Sequence, residues 1–339
     1  MADPPADSTS QAGVRLENVT HSYGQLVAVD DLSLDVPAGA FVSLLGPSGC
    51  GKSTTLRIVA GFESPDSGRV LIGGRDVTAI EARRRPTAMV FQNYALFPHM
   101  SVGENVAYGL KVRRMSRSDI GARVRDVLAR VDLGGHIDTP VTDLSGGQQQ
   151  RAALARAIAV EPDVLLFDEP LSNLDVALRN QTRRELKELQ RRIGVTSLYV
   201  THDQEEALSL SDHVAVMRSG RIVQAGPPRK LYDEPSTAFV ASFLGGANVL
   251  SGDGARAVTG RAVEAGKAIA VRAEHVRLSD SGQFEGRIRS TQFLGHVTEC
   301  VLEFAGQDLR ILTTGHVPGP GQARFDIAQW RMVEDDGTA

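Results

Sequence analysis

The chain has 339 residues, 42% hydrophobic and 23% charged, with a formal net charge of −4. That length suggests about two domains. The composition excludes a disordered chain, and the acidic balance argues against a general nucleic-acid binder. Two cysteines, Cys50 and Cys300, exclude a disulfide framework and fit a reducing cytoplasm. Residues 1–12 are small and polar and read as a loose tail rather than a signal peptide. No apolar run approaches ~18 residues, the length of a membrane-spanning helix.

In chain order, residues 14–20 and 32–36 alternate apolar and polar, as half-buried antiparallel strands do. Residues 41–45 form a short apolar strand that runs into a glycine-rich stretch, and residues 53–62 predict a helix. Residues 88–91 are a further buried strand. Residues 102–131 are helical in pattern and rich in surface arginine, which suggests a helical insert in an α/β core. A helix over 148–159 precedes the apolar strand 164–167. Leu178, Thr182, Leu186, Leu189 and Ile193 mark one face of a long helix. Strands at 197–200 and 214–217 follow. Beyond about Gly245, strand-like pieces at 268–271, 284–290, 298–304 and 309–313 alternate with glycine turns and predict a small all-β domain.

The stretch Gly46, Pro47, Ser48, Gly49, Cys50, Gly51, Lys52, Ser53 fits G-x-x-x-x-G-K-[ST] between a strand and a helix. Glycines there let backbone N–H groups face an anion, and the helix adds its positive end. Lys52 is placed for the β and γ phosphates and Ser53 for Mg²⁺, with Thr54 beside them in the helix start. Asp168 and Glu169 end the 164–167 strand. A carboxylate there serves to hold the metal (Asp168), and the next to deprotonate the attacking water (Glu169). These motifs alone leave kinases, GTPases and helicases open. Cys50, inside the loop near a helix N-terminus, is a candidate for a lowered thiol pKa; the alternative is a small residue that fills the loop.

The octapeptide Leu144, Ser145, Gly146, Gly147, Gln148, Gln149, Gln150, Arg151 opens a helix with a second anion-binding turn. It resembles the signature of the ABC ATPases, and the order of motifs matches that family. The resemblance implies a head-to-tail dimer, with Ser145, Gly146, Gly147 and Gln148 acting on the nucleotide of a second copy. It implies that Tyr23 stacks on adenine, that Gln92 reaches Mg²⁺ and water, that Asp175 crosses the dimer interface, and that His202 contacts the γ-phosphate and aligns Glu169. ATP and Mg²⁺ are the implied cofactors.

Residues 91–109, 200–207 and 232–248 resemble the importer ATPases for polyamines, ferric iron, sulfate, maltose and related solutes. In that branch a permease docks just after Gln92, here near Tyr94, Leu96 and Phe97, and a solute-binding protein acts outside. Val271, Arg272, Ala273, Glu274, His275 and Val276 look like a recurring strand motif of its C-terminal OB-like β-barrel. Residues 171–175 and 196–204 lean toward ferric iron, while 91–109 reads equally as polyamine type. The expected fold class is therefore α/β: an ABC-type P-loop core with an antiparallel β subdomain and helical insert, then a small β-barrel. The expected domains are 13–243, with the helical part at about 93–160, and 244–339. The implied location is the cytoplasmic face of the inner membrane. The rivals are an exporter ATPase and a soluble ABC ATPase acting on ribosomes or DNA. One cassette, no cysteine cluster and no long heptads count against the latter.

Overall fold

The computed structural model describes residues 12–172, 176–315, 317 and 319–337. The chain divides into two compact units, Met1–Pro228 and Arg229–Ala339. That break falls earlier than the expected start of the second domain at residue 244.

The first unit opens with strands β1 (Ala12–Tyr23), β2 (Leu26–Pro37) and β3 (Phe41–Leu45) and helix α1 (Lys52–Ala60). Strands β4 (Ser67–Ile72), β5 (Arg75–Asp76) and β6 (Thr87–Val90) follow, then helices α2 (Val102–Val112), α3 (Arg117–Arg130) and α4 (Gly146–Ala159). The unit closes with β7 (Val164–Asp168), α5 (Val176–Ile193), β8 (Thr196–Thr201), α6 (Gln204–Leu210), β9 (His213–Arg218) and β10 (Arg221–Gly226).

Two sheets result. One is antiparallel, in the order β2-β1-β4-β5; the other runs β10-β9-β3-β8-β7-β6, and its strands from β9 to β6 are parallel. The apolar runs of β3, β7 and β8 are explained by burial on both faces. Phe41, Leu165, Phe167 and Tyr199 point into a core shared with α2, α3 and α4. Their neighbours Val42, Leu44, Val164, Leu166, Leu198 and Val200 point the other way, into a core shared with α1 and the antiparallel sheet. Each such side chain contributes about 1.5–3 kcal/mol when fully buried.

The helical insert is two helices rather than one run over 102–131. Arg114 (φ 58°) breaks the chain between them, and Ser116 caps α3 by accepting from the Asp119 N–H. Ser101 and Glu104 form a reciprocal capping box at α2, which fixes where that helix starts.

The second unit contains α7 (Pro228–Asp233), α8 (Ala238–Phe243), β11 (Asn248–Leu250), α9 (Gly252–Thr259), β12 (Lys267–Val271) and β13 (Val276–Leu278). Strands β14 (Phe284–Phe293), β15 (Thr298–Phe304), β16 (Gln307–Thr313), β17 (Gly321–Ile327) and β18 (Arg331–Glu334) complete it. They build a five-stranded antiparallel sheet, β13-β17-β14-β15-β16, and a three-stranded one, β11-β12-β18. The all-β expectation for this part is corrected by α9, a helix with two glycines. The expected strand over 271–276 is also corrected. The chain leaves β12 at Val271, makes a short 3₁₀ turn over Ala273–His275 and starts β13 at Val276. Strand β12 alternates as well: Ile269 and Val271 face the main core, and Ala268 and Ala270 face α8.

Candidate active site

Parallel register gathers the motif residues at one sheet edge. Leu45 lies opposite Thr201, Asp168 opposite Val200, and Val90 opposite Phe167. The next residues along three of those strands, Gly46, His202 and Glu169, therefore emerge together at the C-terminal edge, where open α/β sheets bind ligands, and Gln92 follows two residues beyond the end of β6.

The phosphate loop is shaped by its glycines. Gly49 and Gly51 hold φ of 78° and 100°, a region disfavoured for side chains with a Cβ. A Cβ on Gly51 would stand 2.2 Å from the Ala28 carbonyl oxygen, and one on Gly46 would stand 2.4 Å from that of Met217. The loop is buttressed from behind, where the Gly220 N–H donates to Cys50 O at 3.1 Å. Lys52, only 6% exposed, donates from Nζ to the carbonyls of Gly46 (2.7 Å) and Pro47 (2.9 Å). Its charge is thus held in the concavity of the loop. Thr54 follows in the first turn of α1, and Ser48 lies on the exposed rim. Cys50 is buried, and burial pushes its thiol up from its ordinary value against the opposing pull of the Lys52 charge. Of the two readings of Cys50, its burial against Gly46 favours the small residue that fills space beneath the loop.

Ser53 Oγ donates to Asp168 Oδ1 at 3.0 Å. A hydroxyl and a carboxylate oxygen so paired are the hard donors that Mg²⁺ takes, so the residues fit that ion. Glu169 adopts φ 46°, a left-handed conformation unusual for a non-glycine residue, and its N–H donates to Val200 O at 3.1 Å. Its Oε2 lies 3.1 Å from His202 Nδ1. The structure therefore brings together Lys52, Ser53, Asp168, Glu169 and His202. Gln92 is exposed just beyond β6.

Tyr23 is 44% exposed beside the β1–β2 turn and meets the His21 ring edge-on at 4.8 Å. Because Ala28 of β2 abuts Gly51, this hairpin stands next to the loop, and its face carries exposed Leu26 and Val27 as well. Ser145 caps α4 in a reciprocal box with Gln148, which leaves Gly146 and Gly147 in the first turn. That helix packs on α2 and α3, so the signature belongs to the helical layer. Asp175 lies outside the described residues.

The segment after Gln92 departs from the sequence reading. Tyr94 is 7% exposed and joins the core, whereas Leu96 and Phe97 are half-buried. Tyr94 and Ala95 both take left-handed φ, 61° and 46°, and Arg156 from α4 donates to their carbonyls at 2.9 and 2.6 Å. Buried Asn105 binds both backbone groups of Phe97. Exposed apolar surface is instead supplied by Phe91, Tyr108, Val112 and Met115. Asn105 and Arg156 were missed by sequence reasoning: Arg156 binds carbonyls some sixty residues away, and Asn105 binds backbone groups of the non-helical turn just before its own helix. The only trace of them is a polar residue on an otherwise apolar helix face. Glu206 was also missed: a carboxylate three residues after Asp203 reads as a helix cap, yet its side chain turns inward.

Residues 29–172 match the ABC transporter family and residues 269–325 match the TOBE domain. The Fe(3+) ions import ATP-binding protein FbpC of Escherichia coli strain K12 is 48% identical over 332 residues, covering 94% of this chain and 95% of that protein. FbpC 1 of Rhizobium meliloti strain 1021 is 48% identical over 317 residues, covering 88% and 90%. Among solved structures, cbiO1 from Clostridium perfringens, described as part of the ABC transporter complex cbiONQ, is 29% identical with a TM-score of 0.61, covering 66% of this chain and 92% of that one. With the phosphate loop, the Asp168 to Glu169 edge and His202 assembled as described, the chain belongs to the ABC transporter family as an ATP-binding ATPase subunit.

Proposed function

We propose that this chain is the ATP-hydrolysing subunit of a ferric-iron importer and works as a dimer beneath a separate permease. The observation that carries the catalytic part is the 3.1 Å contact between His202 and Glu169 at the strand edge beside the phosphate loop. The solute rests on the names of near full-length relatives, which are Fe(3+) import proteins. Polyamine, which residues 91–109 suit equally, is the alternative solute.

ATP binds with its adenine on Tyr23 and its phosphates over residues Gly46 to Thr54. Lys52 exchanges its carbonyl partners for phosphate oxygens. Ser53, Asp168 and Gln92 hold Mg²⁺, which when bound neutralises phosphate charge. Glu169 takes the proton of the attacking water, and His202 fixes its carboxylate and meets the γ-phosphate. The signature residues Ser145, Gly146, Gly147 and Gln148 of a second copy close over the same nucleotide, with Asp175 at the seam. Closure moves the helical insert and with it the permease. The permease docks on the half-buried Leu96 and Phe97 and the exposed Phe91 and Tyr108, with Tyr94 supporting them from within. Among the described residues no helix is long and apolar enough to cross a membrane, so attachment to the cytoplasmic face runs through that permease. A solute-binding protein delivers iron on the far side.

Glu169→Gln is expected to bind ATP, dimerise and hydrolyse at least about a hundredfold more slowly, in line with loss of a general base. Tagged, trapped with ATP and drawn from detergent-solubilised membranes, it should bring down polytopic subunits. The companion binding protein should then bind Fe³⁺ and not spermidine by calorimetry. Normal turnover removes Glu169 as the base. Recovery of ribosomes or DNA-repair proteins without membrane subunits overturns the transport assignment.

A further inference from the structure

One buried acid of the first unit has no part in the chemistry above. Glu206, in the first turn of α6, is 2% exposed. A carboxylate in such a place is costly unless fully hydrogen-bonded, and an apolar residue of like volume would pack as well. Its Oε2 accepts from the Tyr199 hydroxyl and from the Thr201 hydroxyl, each at 2.8 Å. Thr201 Oγ1 in turn accepts from the Asp203 N–H at 2.9 Å, and Asp203 Oδ1 accepts from the Glu206 N–H at 3.1 Å.

These bonds run through Thr201 and Asp203, the two neighbours of His202, and close on Glu206. The His202 side chain itself is left 59% exposed and facing Glu169. The anchor is rigid, because the Tyr199 ring packs against Phe41 (5.5 Å between centroids) and Phe167 (5.9 Å) in the core. A second layer ties the same turn to α5: Asp203 pairs with Arg179 and Glu205 with Arg183, both at 3.4 Å. Burial pushes the Glu206 carboxyl above the ordinary carboxylate value, and the two hydroxyl bonds draw it back.

We propose that Glu206 is a positioning residue for hydrolysis: through the hydroxyls of Thr201 and Tyr199 it fixes the turn that presents His202 to Glu169. This rests on the roles assigned above to His202 and Glu169. A carboxylate serves where Leu would not, because one oxygen takes two hydroxyl donors at once and sets the direction of each. The effect on chemistry runs entirely through the imidazole.

The test is single-turnover hydrolysis of radiolabelled ATP by the full chain, with KM from steady state, for Glu206→Ala, Glu206→Gln and Tyr199→Phe, each alone and combined with His202→Ala. Glu206→Ala is expected to lower kcat about 30-fold with KM within about twofold, the mark of an interaction used in the chemical step. Glu206→Gln, whose amide oxygen accepts the same two bonds, should stay within about threefold of the parent. In the His202→Ala background Glu206→Ala should cost nothing further, because residues acting as a unit are not additive. An equal further loss in that background, or an unchanged kcat for Glu206→Ala, overturns the proposal and leaves the reading of the site intact. Normal turnover by His202→Ala alone overturns both. Should Glu206→Ala fail to fold, Tyr199→Phe keeps the ring and removes one donor. It is expected to cost about threefold in kcat in the parent and nothing beside His202→Ala, and a loss in both backgrounds again overturns the proposal.

Discussion

Each unit contains a buried arginine that clasps the end of a helix, and the two clasps are closely alike. In the first unit Arg85, 4% exposed, donates to the carbonyls of Ile58 and Val59 at the end of α1, and to those of Thr78 and Ile80. In the second, Arg272, 7% exposed, donates to Ala241 and Leu244 at the end of α8, and to Tyr232, over whose ring it lies. Each presses on a glycine in left-handed conformation, Gly61 (φ 81°) and Gly245 (φ 84°). Burial lowers both guanidinium pKa values, and the carbonyls supply the solvation that water would otherwise give. What differs is the helix held. α1 begins with Lys52 and Ser53, so Arg85 steadies the floor of the nucleotide site, whereas α8 carries no reactive group. The same device thus serves catalysis in one unit and packing alone in the other.

The comparison is sharpest in the arginines themselves. Arg85→Met should cost about 4 kcal/mol of stability, from several carbonyls left unpaired, and should weaken ATP binding about tenfold. Arg272→Met should cost about 3 kcal/mol and leave ATP affinity unchanged. Urea denaturation and nucleotide titration of the two variants measure both quantities, and an ATP defect in Arg272→Met would break the contrast. A smaller effect is expected from Gly61→Ala and Gly245→Ala. Their Cβ atoms would meet Arg85 Nε at 2.6 Å and Tyr232 Cε2 at 2.4 Å, and the left-handed φ adds about 1–2 kcal/mol. The first should lower both Tm and ATP affinity, the second Tm only. The smallest effect belongs to a half-buried counterpart, Arg151 with Glu185. Burial opposes ionisation of Glu185, but hydrogen bonds from Arg151 and Gln181 and the Arg151 charge together hold its carboxyl below its ordinary value. A depressed carboxylate stabilises the fold above its unfolded pKa and loses that contribution as pH falls through the folded one. Glu185→Gln should therefore cost about 0.5 kcal/mol near neutrality, as screened pairs do, and the gap to the parent should close in acid. A gap that persists to low pH would assign the effect to packing.

What could be read from the residues differed between the units for physical reasons. Gly46 to Ser53, Asp168, Glu169 and His202 follow strands buried on both faces, and such strands announce themselves as unbroken apolar runs. Strands β14, β15 and β16 showed by alternation. Strands β17 and β18 did not, since Phe325 and Val333 are their only fully buried side chains. Helix α9 was hidden by Gly252 and Gly254, poor helix formers held by their surroundings. The inward turn of Tyr94 depends on a left-handed backbone and on Arg156, neither of which leaves a local pattern. Glu206 looked like half of a cap because its three-residue spacing from Asp203 is that of a cap; only the fold shows that its carboxylate faces Tyr199.

Glu169 carries a consequence for engineering. Its φ of 46° places the proposed base where a side chain costs about 1–2 kcal/mol and glycine or asparagine almost nothing. Selection for heat resistance alone would thus reward Glu169→Gly and Glu169→Asn, and a library enriched that way would drift toward well-folded, inert proteins. Retaining a glutamate at this position amounts to a standing preference for turnover over durability, written into a single backbone angle.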